Sequence, residues 1–129
     1  MEHPTLQGRS ILIVEDNALI VMDITLAFEP TGAQLTTTNT LKHALLLAKH
    51  DGLSAAILDH SLGDGDSSLL CKRLTERGIP YMIYSGYPKA EDAPDDLAYL
   101  SKPATHEAIV AAMEGLVGGT KEALVKRIV

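Results

Sequence analysis

Ser10-Ile11-Leu12-Ile13-Val14 is a continuous apolar run closed by Glu15-Asp16-Asn17. A strand with one wet face alternates apolar and polar residues, whereas an unbroken β-branched run reads as a strand covered on both faces, as in a parallel sheet. Ser54-Ala55-Ala56-Ile57-Leu58 repeats the design and runs straight into Asp59. Ile79 to Tyr84 gives a further strand, with Pro80 acceptable only near its beginning. Ala33 to Thr38 and Leu97 to Leu100 complete a set of five.

Helical stretches separate these runs. Ala18 to Phe28 carries Leu19, Val21, Met22, Ile24 and Leu26 and stops at Pro30-Thr31-Gly32. Asn39 or Thr40 caps a helix over Leu41 to His50, which ends at Asp51-Gly52. A loop with Gly63 and Gly65 leads to a helix capped near Asp66 or Ser67 and continuing to Arg77. From Tyr87 to Asp96 the composition turns to Pro, Lys, Asp and Glu, a loop with at most one helical turn. The last clear helix runs from about Thr105, capped by Thr105 or His106, to Leu116 or Val117. The alternation predicts a doubly wound α/β domain with a parallel sheet and right-handed crossovers.

The chain has 129 residues, which suits a single domain with a core over about 8–117 and a tail over 118–129. A formal charge of −6 and scattered Lys and Arg argue against a nucleic-acid backbone as main partner. No apolar run is long enough for membrane insertion, and Met1-Glu2-His3-Pro4 lacks the order of a signal peptide. The one thiol, Cys71, sits among leucines and fits a buried structural role in a reducing compartment, so the expected location is cytoplasmic.

Ligands of open α/β sheets sit outside the carboxyl ends of the strands. The residues placed there are Glu15 and Asp16 after the first strand, Asp59 after the third, Ser85 after the fourth and Lys102 after the fifth. Each alone reads as a helix cap or a turn residue. Together, in that order and each after a separate strand, they make a designed site. Clustered acids repel unless a cation neutralises them, and Mg²⁺ is the hard, oxygen-seeking choice. An ionised Asp59 can then attack phosphorus and become an acyl phosphate, with Lys102 and Ser85 offering charge and a donor to the new oxygens.

With Ile11-Leu12-Ile13-Val14-Glu15-Asp16, Ala56-Ile57-Leu58-Asp59, Tyr84-Ser85-Gly86 and Leu100-Ser101-Lys102-Pro103, the chain resembles a response-regulator receiver domain over roughly residues 8 to 117. The resemblance implies a flavodoxin-like sheet of strand order 2-1-3-4-5. It implies that Asp59 accepts phosphate from a histidine kinase or phosphotransfer protein and later loses it by self-catalysed hydrolysis, so the chain is not counted as an enzyme. Asp16 and Asp59 would hold Mg²⁺, with Glu15 acting through water and the backbone carbonyl of Ser61 completing the set. Ser85 would be the switch hydroxyl, Lys102 the partner of the phosphoryl group ahead of a commonly cis bond to Pro103, and Tyr99 the aromatic switch. Pro80 to Tyr87 further resembles the Pro-Phe-x-Phe-Ala-Thr-Gly-Tyr signature of the FAT GUY group, with Ile83, Tyr84 and Ser85 replacing Phe, Ala and Thr. Leu58 to Gly63 fits that group's Asp-x-x-Leu-Gly pattern. Its members often stand alone and often have a short or missing fourth helix.

Other signals are weaker. Asp64-Gly65-Asp66-Ser67 lacks the glutamate a calcium loop needs, and the histidines at 3, 43, 50, 60 and 106 lack metal-ligand spacing. His60, beside Asp59, either modulates access to it or faces solvent. The segment Thr120 to Val129, with Leu124, Val125, Ile128 and Val129 among Lys and Arg, extends the last helix, docks a partner or frays. The leading reading is a free-standing phosphoacceptor that signals to an unknown downstream protein by contact. A phosphorylation-independent adaptor is the rival. A phosphatase loses because Ser61 stands where a general acid is needed.

Overall fold

In the computed structural model, which describes residues 5–93 and 96–119, the apolar runs become one five-stranded parallel sheet. The strands are β1 (Ser10–Val14), β2 (Gln34–Thr38), β3 (Leu53–Leu58), β4 (Tyr81–Ser85) and β5 (Tyr99–Ser101). Their spatial order is β2-β1-β3-β4-β5, the order the sequence led us to expect. A separate antiparallel ladder of two residues a side joins Ser61–Leu62 to Gly65–Asp66.

The unbroken apolar character of β1 has a direct structural cause. Ile11 and Ile13 pack with Ile24, Phe28, Ile109 and Met113 on one face, and Leu12 and Val14 pack with Ala44, Leu70 and Leu74 on the other. All four β1 side chains are fully buried. Helices α1 (Ala18–Phe28) and α4 (His106–Glu114) therefore cover the first face, while α2 (Leu41–Leu47) and α3 (Ser68–Glu76) cover the second. A π-helical stretch, Gly115–Gly119, continues α4.

Caps set the helix starts. Asn17 accepts from the N–H groups of Leu19 and Ile20 for α1, Thr40 from His43 for α2, and Thr105 from Ala108 for α4. For α3 the side chain that accepts is Asp66, from the N–H of Ser68 at 3.0 Å, rather than Ser67. Three of the boundaries that differ from expectation have a visible cause. α2 ends at Leu47 and not His50, because Lys49 and His50 donate to carbonyls three residues back and tighten the last turn. β4 begins two residues later than expected, after Pro80, whose carbonyl still accepts from Ala56. β5 spans 99–101 rather than 97–100, because the carbonyl of Leu97 is taken by the Lys89 ammonium.

Between β4 and β5 the described residues form no helix, in line with a short or absent fourth helix. The connection instead carries a turn closed by Ala93 N–H on the Ala90 carbonyl. Pro94 and the segment 120–129, including its apolar and basic residues, lie outside the described residues. No helix among the described residues is long and apolar enough to cross a membrane.

Candidate functional site

Backbone pairing carries the site residues to one edge of the sheet. Just past the β1–β3 register pair Val14↔Leu58, the Asp59 N–H donates to the Val14 carbonyl at 2.9 Å. The Glu15 N–H donates to Thr38 at 3.0 Å and Lys102 N–H to Ser85 at 2.8 Å. The ladder thus runs one residue beyond the strands and fixes the main chain of Glu15, Asp59 and Lys102.

Glu15, Asp16 and Asp59 each offer a carboxylate oxygen, and these oxygens lie within 4.8 Å of one another. Glu15 is 3% exposed, Asp59 half-buried and Asp16 exposed. Lys102 Nζ sits 2.7 Å from Glu15 Oε1 and 3.6 Å from Asp59 Oδ1, so its closer partner is the buried glutamate. It also stands 5.6 Å from the centre of the Tyr84 ring. Burial pushes the Glu15 carboxyl above its ordinary value and the Asp59 charge adds to that, while Lys102 and the Asn17 N–H oppose them. Three carboxylates around one ammonium leave an excess of negative charge, presented on hard oxygens and open to solvent at Asp16. That donor set fits Mg²⁺. Ser61 follows two residues after Asp59, paired with Asp66 in the short ladder.

Ser85 and Tyr99 do not join the acid cluster in their hydrogen bonding. The Ser85 hydroxyl, fully buried, accepts from the Tyr87 N–H at 3.1 Å. The Tyr99 hydroxyl donates to the Tyr87 carbonyl. Both expected switch residues therefore hold one residue, Tyr87, whose own ring is 70% exposed. In the sequence Tyr87 reads as the end of a motif and the start of a loop, with no contact assigned to it.

Several other side chains take roles different from those the sequence suggested. The Asp64 carboxylate accepts from the N–H groups of Leu41 and Lys42 at 2.9 and 3.2 Å, so it caps α2 from a distant loop. Those two bonds hold its carboxyl below the usual range. His106 does not cap α4; its Nε2 lies 2.7 Å from Asp23 Oδ1 and ties α4 to α1. His60 is exposed, in line with the solvent-facing one of its two expected readings, and its backbone N–H donates to Asp59 Oδ1 at 2.8 Å. Cys71 is half-buried rather than fully buried, since it lies beside a groove next to α3; desolvation there still raises its thiol pKa.

Neither a protein-family model nor a curated protein matches the sequence. Solved structures do. SdrG from Sphingomonas melonis Fr1 is 31% identical, with 84% of this chain and 96% of that one covered at a TM-score of 0.72. The response regulator PhyR from Brucella abortus is 22% identical over 97% of this chain with a TM-score of 0.78, but the chain spans only 54% of PhyR. A CheY-like response regulator receiver domain protein from Methanospirillum hungatei JF-1 is 22% identical, covering 91% of this chain and 99% of that one at a TM-score of 0.77. With the sheet order, the acids at its edge and a relative matched at 31% over nearly its whole length, the chain belongs to the receiver-domain family of response regulators.

Proposed function

We propose that the chain is a phosphoacceptor of two-component signalling, with Asp59 as the acceptor and Mg²⁺ as the cofactor. The observation that carries this reading is the convergence of Glu15, Asp16 and Asp59 within 4.8 Å, with Lys102 Nζ 3.6 Å from Asp59. Glu15, Asp16 and Asp59, with the Ser61 carbonyl, would hold Mg²⁺, which when bound supplies a Lewis acid against the charge of the phosphoryl oxygens.

The chain's own groups perform the rest. A carboxylate oxygen of Asp59 attacks the phosphorus of a phosphohistidine on a histidine kinase or phosphotransfer protein. The phosphorus–nitrogen bond breaks, its electron pair stays with the imidazole, and the imidazole takes up a proton from solvent. Lys102 moves from Glu15 toward the new phosphoryl oxygens, a short shift because it already stands near Asp59. Ser85 lends its hydroxyl as a donor once its oxygen lets go of the Tyr87 N–H. Water later hydrolyses the acyl phosphate and returns Asp59, so the protein carries a signal rather than turning over a substrate.

The signal leaves by contact with a downstream protein. Within the family, the motif from Pro80 to Tyr87 and a connection between β4 and β5 with no helix among its described residues favour the FAT GUY group. The lone thiol at Cys71 fits a cytoplasmic setting. Intact-mass spectrometry after incubation with acetyl phosphate tests the reading. Wild type gains one phosphoryl group only with Mg²⁺ present, and Asp59→Asn gains none. Labelling of Asp59→Asn equal to wild type would overturn the assignment.

A further inference from the structure

The connection from β3 to α3 carries Ser61, and it is built as a hairpin of only two residues a side, Ser61 opposite Asp66 and Leu62 opposite Gly65. A free hairpin is marginal in water even when longer than this, so other contacts must fix it. At its root the Ser67 N–H and hydroxyl both donate to the His60 carbonyl at 3.3 Å. Leu62 is buried in the core that α2 and α3 cover.

The tip is held by a different device. Asp64 spreads its two carboxylate oxygens over the first two N–H groups of α2, Oδ1 on Leu41 at 2.9 Å and Oδ2 on Lys42 at 3.2 Å. Hydrogen bonds to an ionised acceptor are the stronger kind. The next residue, Gly65, has a φ of +137°, and a Cβ there would stand 3.3 Å from Leu41 Cδ1, so tip and helix approach closely. α2 is itself seated on the sheet through the buried Ala44. Asp64-Gly65-Asp66-Ser67 thus has both its carboxylates committed to helix starts, since Asp66 Oδ1 accepts from the Ser68 N–H at 3.0 Å.

We propose that Asp64 is a positioning residue for the metal: by clamping the hairpin tip to α2 it holds the Ser61 carbonyl in place, and so favours Mg²⁺ over Ca²⁺. Mg²⁺ demands near-octahedral geometry with oxygens at about 2.0–2.1 Å, whereas Ca²⁺ accepts them at about 2.3–2.6 Å in looser arrangements. A carbonyl that wanders therefore weakens Mg²⁺ binding more than Ca²⁺ binding. The inference rests on the Mg²⁺ reading of the proposed function and adds to it a residue outside the acid cluster.

The test measures Mn²⁺ binding to the full chain from the EPR signal of free Mn²⁺, then displacement of the bound ion by Mg²⁺ and by Ca²⁺. Asp64→Ala should weaken Mg²⁺ about tenfold, a size usual when a group behind a metal ligand is lost, and Ca²⁺ much less. Asp64→Asn drops the charge but keeps an oxygen for one N–H, and should retain most of the preference for Mg²⁺. Asp64 is exposed, so folding is not at stake in either variant. Equal losses for the two ions would assign the effect to charge alone and overturn the proposal, as would an Mg²⁺ affinity that Asp64→Ala leaves unchanged. Amide exchange by NMR without metal checks the clamp itself. The Leu41 and Lys42 amides should exchange faster in Asp64→Ala, and unchanged rates would also overturn the proposal. Wild type that binds no Mn²⁺ brings down the Mg²⁺ reading and the proposal with it, whereas wild-type binding with no change of preference removes the role of Asp64 alone.

Discussion

β1 and β3 are paired over five residues, with helices packed on both faces, whereas β4 and β5 are paired over three, with a groove on one face. The first region holds the acids. Its strands continue their ladder into Glu15 and Asp59, and the side chains of Ile11 to Val14 and Ala55 to Leu58 are buried. The second region holds Ser85, Tyr87 and Tyr99, linked by single hydrogen bonds beside a connection with no helix among its described residues. Chemistry on phosphorus requires fixed groups, while a switch requires two arrangements separated by little energy. On the proposed function, the sheet would meet each requirement in a different half.

Substitutions can break or sharpen that contrast. Phe28→Ala empties a fully buried ring site on the covered face and should cost about 3–5 kcal/mol, read by denaturant unfolding. Leu97→Ala, at the half-buried edge of the groove, should cost about 1 kcal/mol. Equal losses at the two sites would erase the contrast. The smallest effect is expected at Asp64, an exposed carboxylate. Its pKa is lowered in the folded chain, so its contribution is complete above the unfolded value and fades as pH falls through the folded one. Asp64→Ala should therefore lower Tm at neutral pH and converge with wild type in acid. A gap that widened in acid would reject the capping role.

The same contrast sorts what could be read from the sequence. β1 and β3 were legible because burial on both faces writes itself as an unbroken apolar run. The order of acids, Ser85 and Lys102 was legible because each follows a strand directly. β5 begins two residues later than expected, since Tyr99 and Leu100 are only half-buried and the carbonyl of Leu97 before it is taken by Lys89. Contacts between a side chain and a remote backbone were not legible at all. Asp64 caps a helix that begins 23 residues earlier. Tyr87 is gripped from both sides through main-chain atoms that any residue would supply, so its identity carries no signal. Lys102 was expected to partner a phosphoryl group on Asp59, and its 2.7 Å contact with Glu15 was not foreseen; the more deeply buried carboxylate has the greater need of a counter-charge.

Hydrogen–deuterium exchange by mass spectrometry, with and without Mg²⁺ and acetyl phosphate, tests the division between the two halves and its origin at Asp59 together. In wild type carrying the phosphoryl group, exchange should change in peptides from residues 85–101 and stay constant in β1 and the body of β3. Asp59→Asn should show no change at 85–101. Altered exchange centred on β1 and α2, or unchanged exchange at 85–101 in protein whose mass confirms the modification, would contradict the account.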